Sequence, residues 1–211
     1  MTPGLPILWS FRRCPYAMRA RLSLHAAGIA VEHREILLRD KPPAMLEASP
    51  KGTIPVLVLE DQVIDESLDI MLWALRQHDP EGWLREERDA LKLAAACDAR
   101  FKPHLDRYKY ATRYADTDPQ EHRAAAAEFV TDLEDRLSHS PALGGAQAGL
   151  ADYAIFPFIR QYAHTDRDWF AAQNWPSVQA WLDTHLNTVR FAEIMRKHPL
   201  WTSDADLQNG V

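Results

Sequence analysis

Cys14 is the residue whose type and setting point most directly to covalent chemistry. It stands in Ser10-Phe11-Arg12-Arg13-Cys14-Pro15-Tyr16-Ala17, between the apolar run Leu5-Pro6-Ile7-Leu8-Trp9 and a helix-forming segment over residues 18–27. A cysteine at such a junction lies at a helix N-terminus, where unpaired backbone N–H groups favour negative charge. The thiolate is the reactive form, and that setting lowers the thiol pKa. Pro15 suits the first helical turn because it has no N–H to lose. Arg12, Arg13, Arg19 and Arg21 add positive potential. The plainer alternative is an inert, buried cysteine beside a helix-starting proline. Ala17 stands where a dithiol oxidoreductase has its second cysteine, which excludes a C-x-x-C disulfide cycle. Cys97 falls on an apolar helical face and reads as core.

The elements around this junction alternate over the first eighty residues. Residues 5–10 read as a short buried strand, and Gly28 stops the helix that follows Cys14. Residues 31–36 read as a second strand, polar enough for a sheet edge. Pro42 and Pro43 fix a loop, and residues 44–48 allow one or two helical turns. Turn chemistry over 49–53 leads through Ile54-Pro55 into a β-branched strand over 56–59. Glu60-Asp61-Gln62 then turns the chain into Val63-Ile64, a hairpin signal. Asp65-Glu66-Ser67 precedes an apolar helix. The order is β-α-β-α-β-β-α, with a parallel crossover first and an antiparallel pair last.

Residues 79–84 have linker composition, and from 85 to 211 the pattern is all-helical. A long helical segment runs past Phe101, Leu105 and Tyr108 towards Tyr114, with a kink expected at Pro103. Asp118-Pro119 opens a further helix, 140–149 is a small-residue loop, and 150–163 is an apolar helix containing Pro157. Pro176 starts another helix, and 191–195 adds a last turn before a polar tail. Two domains are expected: α/β over 1–78 and an all-α helical bundle over 85–211.

Composition narrows the function. The 211 residues carry a net charge of −6 and no long basic run, which gives no support to nucleic-acid binding. No apolar stretch is long enough to span a membrane, and the start lacks the regions of a signal peptide. Two cysteines make no disulfide framework, and a reducing cytoplasm is the expected location. The nine histidines fall into no metal-ligand spacing, so no metal is expected.

Three separated motifs carry a resemblance to the cytosolic glutathione transferases, and it extends over nearly the whole chain. Residues 11–21 (Phe-Arg-Arg-Cys-Pro-Tyr-Ala-Met-Arg-Ala-Arg) look like the active-site segment of the omega class, in which a cysteine replaces the tyrosine or serine of other classes. Pro50-Lys51-Gly52-Thr53-Ile54-Pro55-Val56-Leu57 resembles the segment that includes the family's cis-proline. Asp65-Glu66-Ser67 resembles the acid-serine pair that holds the γ-glutamyl end of glutathione. The resemblance implies a thioredoxin-like first domain with the glutathione site and a helical second domain that supplies most of the second-substrate pocket. It also implies a two-fold homodimer.

Carried over residue by residue, Cys14 is the expected nucleophile. Tyr16, Lys41, Ile54, Pro55, Glu66 and Ser67 are the expected glutathione contacts. Ile54 would pair with the peptide's cysteinyl backbone through a cis Ile54-Pro55 bond. Ser67 would bind a carboxylate at a helix N-terminus, and Glu66 would accept from the α-ammonium. Lys41 matches the lysine that meets the glycyl end, whereas Lys51 reads as loop surface. Phe11, His104 and Tyr108 are candidates for the second-substrate pocket. Each has a plainer reading: an exposed lysine, an N-cap serine with a solvated acid, a trans proline, an ordinary packing aromatic or a surface histidine. The expected activity is a monothiol cycle, a glutathione-dependent thioltransferase or reductase acting on a disulfide or oxidised substrate. Conjugation of glutathione to small hydrophobic electrophiles and a non-catalytic binding role are the alternatives. One departure stands out: the helix at residue 150 is preceded by Gly149 instead of Ser or Thr, leaving Asp152 to cap it alone.

Overall fold

The computed structural model describes residues 4–115 and 117–203, and they fall into two compact units. The first takes in the chain up to His78 together with the segment from Ala192 onward, and the second covers Asp79–Phe191. The C-terminal segment therefore packs with the sheet, although the sequence groups it with the helices. The residues beyond 203, in the polar tail, lie outside the description.

The first unit runs β1 (Ile7–Ser10), α1 (Pro15–Ala26), β2 (Glu32–Glu35), α2 (Pro43–Ala48), β3 (Val56–Val58), β4 (Val63–Ile64) and α3 (Ser67–Gln77). Sheet order is β2-β1-β3-β4, with β1 parallel to β2 and the other pairs antiparallel. The parallel crossover and antiparallel pair follow the expected element order, and the arrangement is the thioredoxin-like one that the resemblance implies. β1 starts at Ile7 instead of Leu5, because Pro6 has no N–H for the ladder and offers only its carbonyl, to Glu32 N.

Side chains alternate across the sheet, so consecutive residues feed different clusters. Leu8 and Leu57 join Ala20 and Leu24 of α1 and Ile70 and Ala74 of α3. Trp9 and Val56 join Ala17, Ile36, Met45 and Ile54, with Phe11 and Cys14 packed at the margin. Burying each large aliphatic side chain contributes about 1.5–3 kcal/mol. α1 is enclosed on nearly every side, and its buried residues include Arg19 and Arg21.

In the second unit, residues 79–84 are not a plain linker. The Asp79 carboxylate accepts from Trp83 N and Leu84 N at 2.8 and 2.9 Å, capping a 3₁₀ turn over Trp83–Glu86. α4 (Glu87–Ala96) continues through one wide π-type turn, Cys97–Phe101, into α5 (Lys102–Lys109). That turn lies immediately before Pro103, where the sequence predicts a kink. Widening the helix just before the proline relieves the clash its ring would make with a carbonyl one turn back. The segment ends short of Tyr114, which is exposed.

α6 (Pro119–His139) begins at Asp118, whose carboxylate accepts from Gln120 N. α7 (Leu150–Ala163) is buried along nearly its whole length, as its all-round apolar sequence requires. Asp152 secures its start, accepting from Gly149 N at 2.9 Å, Leu143 N at 2.8 Å and Trp181 Nε1 at 2.8 Å. The capping function survives the glycine, since the acid supplies all the acceptors. A short α8 (Arg167–Ala171), α9 (Pro176–Leu186) and α10 (Val189–Ile194) follow. Cys97 is fully buried, as its helical face suggests.

Candidate active site

Cys14 is the N-cap residue of α1, with extended backbone (φ −72°, ψ 122°) and Pro15 as the first helical residue. Its N–H closes a turn onto Phe11 O at 3.0 Å. The side chain is half-buried, and Sγ lies 3.8 Å from the Ile54 carbonyl, to which a thiol donates. The Ile54-Pro55 bond is cis. Residues forty positions apart are thus brought together by β1 pairing with β3, which places Trp9 opposite Val56. The two cysteines are not joined in a disulfide.

Glu66 is the N-cap residue of α3, and Ser67, buried, is its first helical residue. The exposed Glu66 carboxylate forms an ion pair with Lys51, whose ammonium pKa the Glu66 hydrogen bond raises. Lys51 lies on the loop surface and is tied there to a candidate site residue. Ser49 Oγ donates to Asp65 Oδ2 at 2.8 Å, fastening the 49–53 turn to the start of α3.

Lys41 reaches the same turn. A Cβ built on Gly52 would stand 3.6 Å from Lys41 Nζ and 3.3 Å from Leu46 Cδ2, and the glycine has φ +65°. Both the left-handed backbone and the close approach call for glycine there. Lys41, Asp40, Pro42 and Trp201 help to line a cavity of about 520 Å³ between the loop after β2 and the C-terminal segment.

Tyr16 is half-buried with the Arg19 guanidinium 5.4 Å from its ring centre, and the Arg13 guanidinium stands 5.7 Å from Phe11. His104 and Tyr108 belong to the second unit. His104 Nδ1 meets His122 Nδ1 at 2.7 Å, a partner that no local signal in the sequence reveals. Burial, with the nearby His122 and Arg107, holds the His104 pKa below its ordinary value. Tyr108 is buried edge-on against Tyr162, and burial raises its pKa.

Glu35, and the bonds it and Arg21 make around Cys14, escape sequence reasoning. Glu35 accepts from Arg12 N at 2.6 Å, and Arg21 donates to Arg12 O at 2.6 Å. Burial lowers the Arg21 pKa to about 10, while Glu35 and the Cys14 thiolate act in the opposite sense. Burial alone would raise the Glu35 pKa. The His33 hydrogen bond, the Arg12 N–H and the charges of His33 and Arg21 outweigh it and hold the carboxyl below its ordinary value.

The sequence matches the glutathione S-transferase N-terminal domain family over residues 8–82 and the glutathione S-transferase C-terminal domain family over residues 93–184. Together these cover well over half the chain. It belongs to the glutathione S-transferase family. Among relatives of this family member, pyrimidodiazepine synthase of Drosophila melanogaster is 29% identical over 168 residues, 75% of this chain. The match covers 65% of the synthase, so this chain spans just under two thirds of that relative. Human glutathione S-transferase omega-2 is 28% identical over 200 residues, 85% of this chain and 81% of the relative. A glutathione transferase of Phanerochaete chrysosporium, solved in complex with oxidized glutathione, superposes with a TM-score of 0.79 at 18% identity. That superposition covers 90% of this transferase and 94% of the fungal one. Among the described residues, no helix is long and apolar enough to cross a membrane, and no group of three or more His, Cys, Asp or Glu is arranged to hold a metal.

Proposed function

We propose that this glutathione S-transferase is a glutathione-dependent thiol transferase of omega type, with Cys14 as nucleophile. The observation that carries the reading is a half-buried cysteine at the N-cap of α1 with alanine three residues on. Helix-terminal N–H groups favour the thiolate, and no resolving thiol exists in the motif. Cys14 Sγ attacks the glutathionyl sulfur of a mixed disulfide R–S–SG. The S–S bond breaks, R–S⁻ leaves and takes a proton from water, and Cys14 becomes glutathionylated. The thiolate of a second glutathione then attacks the same glutathionyl sulfur, regenerating Cys14 and releasing glutathione disulfide. Net, R–S–SG and one glutathione thiol become R–SH and glutathione disulfide: the sulfur of R is reduced and that of the incoming glutathione is oxidised.

The tripeptide's cysteinyl backbone would pair with Ile54 beside Pro55. Its γ-glutamyl carboxylate would take the Ser67 hydroxyl and the first N–H groups of α3, and its α-ammonium would take Glu66. Lys41 would meet the glycyl carboxylate, Tyr16 would pack on the peptide, and Phe11 would face the second substrate. Conjugation needs a hydroxyl that steadies the glutathione thiolate. Ser10 is fully buried, which leaves Tyr16 as the hydroxyl beside the motif and ranks this reaction second. A cytoplasmic homodimer is the form in which we expect the enzyme to act.

An activity panel with glutathione tests this, using hydroxyethyl disulfide, dehydroascorbate, a glutathionyl conjugate and a chloronitrobenzene. Cys14→Ala is expected to reduce the thiol-exchange activities to the uncatalysed rate and to spare conjugation. A variant that lost only the chloronitrobenzene activity would overturn the assignment.

A further inference from the structure

The peptide of Arg12, two residues before Cys14, is gripped from both sides. Its N–H donates to Glu35 Oε1 and its C=O accepts from Arg21 Nη2, each at 2.6 Å. Arg21 is 6% exposed and Glu35 is 7% exposed. The remaining polar atoms are also engaged. Arg21 Nε donates to Ala17 O at 3.3 Å and Nη1 to Ile194 O at 2.8 Å, while Glu35 Oε2 pairs with His33 Nε2 at 3.0 Å.

The C-terminal segment closes this arrangement from outside. Trp201 N donates to Glu35 O at 2.9 Å, and His198 stacks on His33 with ring centres 3.9 Å apart. The Arg34 guanidinium lies 4.9 Å from the Trp9 ring and 4.8 Å from the Trp201 ring. Two opposite charges buried this deeply are a poor source of stability, because desolvation offsets their attraction. Their placement against the turn that presents Cys14 suits a different role.

We propose that Arg21 and Glu35 are positioning residues that set the nucleophilicity of Cys14, Arg21 favouring its thiolate and Glu35, on the other side of the Arg12 peptide, limiting that effect. The inference rests on Cys14 being the nucleophile. Charged groups face the pair from the elements around it: Arg12 from the turn, Cys14 at the start of α1, His33 from β2, and His198 from the C-terminal segment. Removing Arg21's charge leaves Glu35 as the unopposed buried charge on the turn that presents Cys14, which raises the thiol pKa. Glu35→Gln removes the negative charge but keeps an oxygen for the Arg12 N–H, so the thiol pKa falls. A merely structural role predicts something else, since loosening the turn by either route carries the thiol towards its ordinary value.

The test is the pH profile of Cys14 alkylation by iodoacetamide in the full chain, read by peptide mass spectrometry so that Cys97 is counted separately. Arg21→Gln is expected to raise the Cys14 pKa by about one unit, a tenfold loss of thiolate below both values. Glu35→Gln is expected to lower it. Shifts in the same direction, or none in either variant, overturn the inference. Where Arg21→Gln does not fold, the near-isosteric Glu35→Gln decides alone, a fall in pKa supporting the proposal and a rise or no change ending it. A wild-type thiol at about 8.5 would instead sink the nucleophile assignment itself, so the two failures are distinguishable.

Discussion

Replacing Asp152 should test how the helical unit is held. Its carboxylate is fully buried and accepts three N–H donors, from Leu143, Gly149 and Trp181, each within 2.9 Å. Asp152→Ala strands all three donors. A buried donor left without a partner costs about 1–3 kcal/mol, so three give about 3–9 kcal/mol before relaxation. Relief of the carboxylate's own desolvation and entry of water pull the total to the lower part of that range, about 4 kcal/mol. For a chain of this size the melting point should drop by about 8–16 °C. Asp152→Asn keeps one oxygen for Leu143 and Trp181 but turns an amide N–H towards Gly149 N–H, and should cost about half as much. Urea unfolding followed by tryptophan fluorescence measures both, with the midpoint falling at constant slope. An Asp152→Ala variant within about 1 kcal/mol of wild type would refute the claim that this carboxylate anchors α7. So would an asparagine variant as damaging as alanine.

Gly52→Ala forces a left-handed conformation on a residue with a Cβ, worth about 1–2 kcal/mol, and presses on Leu46 in the turn that Lys41 touches. It should raise the KM for glutathione more than it lowers kcat, and equal KM values in steady-state kinetics would remove Lys41 from the site. Burial, with Arg160, Arg167 and Lys109 nearby, lowers the His164 pKa to about 4. The unfolded chain then binds more protons at this position between about pH 6.5 and 4, so stability is lost as pH falls through that window, by at most about 1.4 kcal/mol per unit. His164→Gln should flatten this part of a urea-midpoint profile, and an unchanged slope would show that other groups govern it.

The parts of the fold written in local signals were legible. Pro15 after Cys14, the hairpin turn at 60–62 and the boundaries of α7 at residues 150 and 163 depend on neighbours within a few positions. β2 was harder. Its Glu-His-Arg-Glu sequence reads as a solvated edge, and it does lie at the edge of the sheet. Yet Glu35 is buried, because Leu200 and Trp201, 165 and 166 positions further along the chain, return to that edge. No periodicity encodes such a return. The same holds for Arg21: the sequence places its charge near Cys14, but its enclosure and its bonds to Arg12 O and Ile194 O depend on distant chain. α8 is five residues long, too short for a helical pattern to show. The turn at Cys97–Phe101 hides for another reason: Pro103 announces that the helix must yield, but not whether by bending or by widening.

The two buried carboxylates, Asp152 and Glu35, make different demands on the chain. Asp152 is held by neutral N–H groups of the backbone and an indole, so its removal is felt as lost structure in α7. Glu35 shares its two oxygens between one backbone N–H and His33, and its charge opposes that of Arg21. An amide at position 35 can keep the backbone bond and abolish only the charge. The consequence at position 35 should therefore be read in the reactivity of Cys14 before it is read in stability, whereas at position 152 stability comes first. Measuring both properties in both glutamine or asparagine variants separates a residue that builds the fold from one that tunes its nucleophile. A Glu35→Gln enzyme that unfolded more readily yet alkylated as wild type would place it with Asp152.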